Sequence, residues 1–253
     1  MVSATSTVVA GDASRPGGAG PRAGAPSARS TRLGFATGAL VLRLAVSGES
    51  DRVVTLYTEA RGKVAAFARA ARKSRRRFGA ALAYFVLGEA VLTERPGQEL
   101  MSLESFSVRR YFSRLASDIG KMAHASYGTE LVRELVPLFV PDARVLALLV
   151  ELFATLETNG PSANGLRVFE LSLLHLLGLA PTLDRCGHCD TQESGALDGG
   201  VFDAALGGVV CARCAVLTPV HPARIRWTAE DREALLALAR VAHLADAARR
   251  ARL

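Results

Sequence analysis

The four cysteines of this 253-residue chain form two Cys-x-x-Cys pairs, Cys186 with Cys189 and Cys211 with Cys214. Residues 190–210 separate the pairs, a spacer at the upper edge of the usual range of about 15–20 residues. Each pair can turn its two thiolates toward one point, and four thiolates make a closed tetrahedral zinc site. A closed site has no position for water or substrate. The sequence therefore predicts a structural Zn²⁺ ion that stabilises a module at about residues 182–220.

Other uses of the cysteine pairs agree less well with the sequence. A thioredoxin-like redox pair opens a helix after a strand and would not need a duplicate. A zinc deaminase combines Pro-Cys-x-x-Cys with His-x-Glu, but Arg185 and Val210 precede the pairs here, and Glu follows no histidine two places on. His188 lies inside the first pair, and we interpret it as a bystander between two better ligands.

The positive charge of the chain is concentrated toward its N-terminal part. Residues 1–32 carry four arginines and one acidic residue, residues 33–105 carry eleven basic and seven acidic residues, and residues 106–253 carry sixteen of each. Eight of the seventeen residues from Arg61 to Arg77 are basic and none is acidic. A solvated helical face usually includes carboxylates that relieve like-charge repulsion. Their absence indicates a polyanionic partner, with a solubilising loop or an anionic membrane surface as the alternatives.

The first 32 residues are rich in Ala, Gly, Ser, Pro and Arg and contain almost no large apolar side chain. They cannot bury enough surface to offset the entropy of ordering, which predicts a disordered tail. A transit peptide shares the Ser- and Arg-rich bias, but no amphipathic pattern accompanies it here. The start also lacks the apolar stretch of a secretory signal, and no uncharged apolar run approaches the roughly 18 residues of a membrane span. We therefore expect a cytoplasmic protein without a membrane partner.

Hydrophobic periodicity divides the remaining chain into a β part and an α part. From about residue 33 to 108, short apolar or β-branched runs alternate with turn residues, and five such runs in so short a segment predict a small closed barrel. The predicted strands are Ala39–Ala45, Val53–Thr58, Lys63–Ala68, Ala80–Leu92 and Glu99–Val108. From residue 109 to 253 the period changes to about 3.6, which predicts helices. The predicted fold class is α+β.

Each predicted helix has one apolar face, and the helices must pack together to bury these faces. A last helix is expected from about Thr228 to the end of the chain. The residues assigned to the buried faces are Leu115, Ile119 and Met122; Leu131, Leu135 and Phe139; Val145, Leu148, Leu149 and Leu152; Leu166, Phe169, Leu173 and Leu176; and Leu235, Leu236, Leu238 and Val241.

The sequence gives little support for catalysis. It contains no Gly-x-x-x-x-Gly-Lys-[Ser/Thr] phosphate loop and no Gly-x-Ser-x-Gly nucleophile elbow. His124, His175 and His243 have no acidic or nucleophilic neighbour in sequence that would activate them. We therefore predict that the protein is not an enzyme. The alternative is a zinc-stabilised enzyme that acts on an anionic or nucleotide substrate, with an active site assembled from distant residues.

Three stretches together resemble the bacterial RecO family of DNA repair proteins: Gly48–Thr58, Gly62–Gly79, and residues 169–186, which lead into the first cysteine pair. The resemblance covers about residues 37–250. It implies an N-terminal OB-fold barrel at residues 33–108, followed by an α-helical domain at residues 109–253 that contains the zinc module. Residues 1–32 extend beyond the usual start of the family.

The resemblance also implies a function. Proteins of this kind bind single- and double-stranded DNA, anneal complementary strands and act with RecR to load RecA onto DNA coated by single-strand-binding protein (SSB). The implied location is the bacterial nucleoid, and an apolar pocket beside an arginine on the helical part is expected to receive the acidic SSB tail. The implied zinc ligands are Cys186, Cys189, Cys211 and Cys214. The implied DNA contacts are Lys63, Arg69, Arg72, Lys73, Arg75, Arg76 and Arg77.

Overall fold

The computed structural model describes residues 34–74, 76–79, 81–94, 97–98, 100–217, 222 and 224–249. Its N-terminal part is a closed barrel with the strand order β1-β2-β3-β5-β4. The strands are β1 (Gly34–Ser47), β2 (Asp51–Thr58), β3 (Gly62–Ala68), β4 (Val86–Thr93) and β5 (Met101–Tyr111). β3 and β5 run parallel, and the other neighbours are antiparallel. A closed five-stranded barrel followed by helices confirms the predicted OB-fold-like α+β architecture.

The strand predicted over Ala80–Leu92 is correct only in its second half, because β4 begins at Val86. Phe85 has a φ of +62°, which is incompatible with an extended strand. Before it, Phe78, Ala81 and Leu82 are buried in the barrel core. The apolar residues before Phe85 therefore pack into the barrel core from a connection, and their hydrophobicity alone does not distinguish them from a strand.

Helices follow the barrel and begin with a short 3₁₀ turn at Ser113–Leu115. Side chains of Asp118, Asp142 and Ser162 accept hydrogen bonds from the first-turn amides of the three long helices, which fixes where each one begins. The α-helices are α1 (Ile119–Leu135), α2 (Ala143–Asn159), α3 (Ala163–Leu176), α4 (Ser194–Asp198), α5 (Ala212–Leu217), α6 (Ala229–Ala239) and α7 (Leu244–Arg249).

The apolar faces predicted for the first two helices are wrong in part, because residues from both lie on a single helix, α1, and Phe139 lies beyond its end. Ile119 is 78% exposed, and Met122, Leu135 and Phe139 are also exposed. The buried residues of α1 are small or β-branched, and a Cβ atom at Gly128 would lie 2.4 Å from a Leu152 methyl group. α1 therefore approaches α2 closely through small residues, a contact that a search for large apolar side chains does not find.

The faces predicted for α2 and α3 form the centre of the helical core. Leu149 and Leu152 of α2 pack with Phe169 and Leu173 of α3, and all four are buried. The structure divides the predicted last helix into α6 and α7, which residues 240–243 separate. Leu238 joins the helical core, whereas Leu235 and Leu236 pack against the cysteine module.

The predicted tail, residues 1–32, lies outside the described residues. Among the helices that the structure describes, none is long and apolar enough to cross a membrane.

Candidate nucleic-acid interface and metal centre

The densest part of the basic run lies in the connection between β3 and β4. We call residues 69–79 the basic loop. Arg69, Arg72, Lys73 and Arg76 are exposed there and Arg77 is half-buried. Arg75, which was also predicted to contact DNA, lies outside the described residues. The structure thus brings five of the seven predicted DNA contacts onto one loop.

The basic loop is fixed to the barrel at several points. The Ala70 amide donates to Asp51 Oδ1 at 2.7 Å, and the Arg72 amide donates to the Ser50 carbonyl at 3.0 Å. The Phe106 amide of β5 donates to the Arg77 carbonyl at 3.0 Å. Within the loop, the Arg77 guanidinium donates to the Arg69 carbonyl at 2.6 Å. The side chains of Ala71 and Phe78 are buried in the barrel core. These contacts hold the backbone in place, while the side chains of Arg69, Arg72, Lys73 and Arg76 are exposed to solvent.

The cations of the basic loop have no carboxylate partners within the part of the chain that the structure describes. None of the five forms an ion pair within 4.0 Å among the residues that the structure describes. Elsewhere on the barrel, Arg61 pairs with Glu94 at 2.9 Å and Arg109 with Glu89 at 2.6 Å. Like charges on one loop repel each other, so a polyanion that approaches this loop relieves an existing repulsion.

Lys63 has a different environment from the cations of the basic loop. It lies in β3 with 9% of its surface exposed, and its ammonium donates to the Arg133 carbonyl near the end of α1. Its own carbonyl accepts from the Phe139 amide at 3.0 Å. Burial lowers the pKa of this ammonium from its usual value. Lys63 thus joins the barrel to the helical part, and we remove it from the set of DNA contacts.

An apolar groove that the sequence did not reveal lies beside the basic loop. Its volume is about 650 Å³, and arginines of the loop stand at its rim. Its lining combines the loop with β4 and β5, which are separated in sequence and meet only in the folded barrel. The groove is lined by Arg76, Arg77, Phe78, Gly79, Ala81, Ala83, Val86, Phe106, Ser107, Val108 and Tyr111.

The four cysteines come together in a separate module beyond α3. Three short strands, β6 (Val201–Asp203), β7 (Gly208–Val210) and β8 (Arg224–Arg226), form its sheet in the order β7-β6-β8. The Gly187 amide donates to the Val209 carbonyl at 2.8 Å and holds the first pair against β7. The module therefore places both pairs at one end of a small sheet.

The cysteine sulfurs are close enough to share one metal ion. All four lie within 4.8 Å of one another, and the Sγ atoms of Cys189 and Cys211 are 3.8 Å apart. In a tetrahedral site with Zn–S bonds of about 2.3 Å, neighbouring sulfurs lie about 3.8 Å apart. The described residues form no second cluster of three or more side chains able to hold a metal ion. The donor set therefore has the chemistry and spacing of a four-thiolate metal site.

Backbone amides surround one of these sulfurs. The amides of His188 and Cys211 donate to Cys186 Sγ at 3.4 and 3.3 Å. Burial raises the pKa of Cys186, but backbone N–H donors from Cys211, Cys189 and His188 outweigh it and bring the pKa to about 6. Burial and the neighbouring sulfurs raise the pKa of Cys214 to about 12. A cation among the four sulfurs would favour the thiolate form of all of them.

The module also contains ion pairs between its own residues and with the following helix. Arg224 pairs with Asp203 at 2.8 Å, and both side chains are at least nine-tenths buried. Arg232 of α6 pairs with Asp198 of α4, also at 2.8 Å. His188 contributes its amide to the Cys186 sulfur, while the four cysteines supply the clustered ligand atoms.

Comparison with known proteins agrees with this architecture. A family model described as recombination protein O, N terminal, matches residues 34–112, and one described as recombination protein O, C terminal, matches residues 116–245. DNA repair protein RecO of Anaeromyxobacter sp. (strain K) is 48% identical over 181 residues, which cover 71% of this chain and 70% of that protein. DNA repair protein RecO of Pelobacter propionicus is 38% identical over 178 residues, 70% of each chain.

The closed five-stranded barrel, the helices that follow it and the four-cysteine module define a protein with an OB-fold-like domain and a helical part that contains a cysteine module. The two family models together match most of the chain, and the relatives agree with them. The chain belongs to the RecO family. This membership supports a role in DNA repair and recombination.

Proposed function

We propose that the protein is a DNA repair and recombination mediator that binds single- and double-stranded DNA and anneals complementary strands. With RecR, it would promote the loading of RecA onto SSB-coated DNA. The observation that carries the proposal is the set of exposed cations on the basic loop that have no carboxylate partner among the described residues. In the cell, this activity belongs at the bacterial nucleoid, in the cytoplasm.

Annealing has a simple physical basis on such a surface. Two complementary strands repel each other through their phosphates, and a protein that neutralises phosphates with Lys and Arg side chains reduces that repulsion. Base pairing then supplies the sequence specificity. The protein needs no catalytic residue for this reaction, so we propose that it is a mediator and not an enzyme.

We also propose that Cys186, Cys189, Cys211 and Cys214 hold a structural Zn²⁺ ion. The four sulfurs occupy all positions of a tetrahedral site, so the ion would supply structural stability and no position for substrate. Leu235 and Leu236 of α6 pack against the module. A bound ion would therefore stabilise both the small sheet and the position of α6.

For the SSB tail, we propose the pocket between α2, α3 and α6, which has a volume of about 430 Å³. Leu148, Leu171, Leu176 and Leu238 line it, and they suit the aromatic end of an acidic peptide. Arg144 stands at the rim and is 71% exposed while it pairs with Asp142. Glu151, another lining residue, is already engaged because its Oε1 accepts from the Leu244 amide at 2.9 Å.

A strand-annealing assay on SSB-coated DNA, with and without RecR, tests the proposal. We expect the protein to accelerate pairing of complementary strands without consuming a nucleotide, and RecR to be needed for RecA filament formation. We also expect it to bind long strands far better than mononucleotides. Equal affinity for a mononucleotide and a long strand, with no annealing, would contradict the mediator and favour a binding site for small anions.

A further inference from the structure

The groove beside the basic loop leaves apolar surface open to solvent. Val108 and Tyr111, near the end of β5, are each 50% exposed. Beneath them, Phe78 and Phe106 are buried in the barrel core and form part of the lining. An open groove with aromatic and aliphatic walls can bury a flat apolar ligand.

Tyr111 is held in position by the strand that carries it. It pairs with Val86 across the β4–β5 ladder. The preceding residue, Arg110, is directed elsewhere, since its guanidinium lies 4.2 Å from the Phe112 ring centroid and pairs with Glu157 at 3.3 Å. Because successive side chains of a strand point to opposite faces, Tyr111 faces the groove and Arg110 faces the helical part.

The rim of the groove carries positive charge. Arg76 is exposed, and Arg77 lies with its guanidinium 5.1 Å from the Phe78 ring centroid. Neither forms an ion pair with a described carboxylate. A ligand that suits this site is therefore flat and apolar on one side and anionic on the other. A nucleotide of a single strand has both properties, whereas a duplex hides its base faces in the stack.

We propose that the groove holds an unpaired nucleobase of a single-stranded nucleic acid. Tyr111 provides the stacking surface, and the exposed Arg76 contacts the adjacent phosphate. This inference rests on the proposed function, because it divides DNA binding into two parts. The basic loop binds phosphates of either form, and the groove adds affinity for single strands alone.

The test compares binding of oligothymidylate and of a duplex of equal length by wild type and by three variants. Stacking of one base on an aromatic ring contributes to the binding free energy, so Tyr111→Ala should weaken oligothymidylate binding by roughly 5- to 150-fold. Duplex affinity and its salt dependence should not change. Tyr111→Phe keeps the ring and should retain single-strand affinity. Tyr127→Ala, which removes an exposed tyrosine from α1, is the matched control and should bind both DNAs like wild type.

A fluorescent variant gives a second readout that does not depend on loss of affinity. Trp227 is the only native tryptophan, so Tyr111→Trp adds one reporter in the groove. Oligothymidylate should quench its emission, and the duplex should leave it unchanged. Equal quenching by both DNAs, or none by either while both bind, would overturn the assignment.

The outcomes separate this inference from the proposed function. If wild type binds both DNAs and Tyr111→Ala binds oligothymidylate as tightly as wild type, the groove assignment is wrong and the basic loop remains the interface. If Tyr111→Ala weakens both DNAs equally, the groove does not discriminate single strands and the inference fails. If wild type binds neither DNA, the proposed function itself fails.

Discussion

The cysteine module and the basic loop differ in how their charged groups are paired. In the module, Asp203 pairs with Arg224, Asp198 pairs with Arg232, and the four sulfurs face one another. In the basic loop, five described cations lie on one short segment, and none of them pairs with a carboxylate that the structure describes. The backbone of the loop is nevertheless well anchored to the barrel, so the unpaired charge does not reflect a lack of local contacts.

This difference separates a structural element from an interaction surface. Groups that satisfy one another inside the protein contribute to folding and leave nothing for a partner. Cations that repel one another on a fixed loop slightly lower the free energy of unfolding of the isolated protein. A bound polyanion offsets this repulsion. The module is therefore the scaffold, and the loop is where a nucleic acid is expected to act.

The largest expected effect comes from breaking the cysteine cluster. Structural zinc sites contribute on the order of 10–16 kcal/mol of apparent binding free energy in small peptides. Cys211→Ser should abolish zinc binding and unfold the module, while His188→Ala should retain the metal. Metal analysis and thermal unfolding measure both. A Cys211→Ser protein that keeps a full complement of zinc would show that the four cysteines are not the ligands.

Lys63 tests whether every cation of the basic run belongs to the interface. Its ammonium donates to the Arg133 carbonyl in a buried position. Lys63→Met keeps the aliphatic stem and removes this hydrogen bond, which should lower the free energy of unfolding by roughly 1–3 kcal/mol. Urea denaturation measures the loss. The salt dependence of DNA binding should be that of wild type, and a shallower dependence would return Lys63 to the interface.

A smaller effect is expected from the ion pair within the module. The Arg224 guanidinium holds the pKa of Asp203 below its usual range. A carboxyl with a lowered folded-state pKa contributes stability that is present above its unfolded pKa of about 4 and is lost as the pH falls through the folded value. Arg224→Met should therefore move the acid-induced fall in Tm to higher pH. Identical pH profiles for variant and wild type would show that the pair does not stabilise the module.

The parts of the molecule that depend on local sequence could be predicted. Cysteine spacing indicated the metal cluster because both pairs are short-range motifs, and the run of cations indicated the basic loop because its members are contiguous. The buried faces of α2 and α3 could also be predicted, since large apolar residues repeat there at helical spacing.

The remaining features depend on contacts between distant segments. The groove unites Tyr111 of β5 with Phe78 of the basic loop, and only the barrel topology brings them together. Lys63 is buried because the end of α1 packs over β3, which its position in a basic run does not reveal. Ile119 has the spacing of a core residue but is exposed, because α1 packs through Gly128 and its small neighbours.

The salt dependence of duplex binding tests the central claim most directly. The loop variant Arg72→Ala/Lys73→Ala/Arg76→Ala removes three cations without carboxylate partners. The control Arg61→Ala/Arg144→Ala/Arg167→Ala removes three exposed cations that have partners. The slope of log K against log[salt] should become shallower by about 2–3 in the loop variant, because each phosphate contact contributes about 0.9. The control should keep the wild-type slope, and an equal change in both variants would contradict the account.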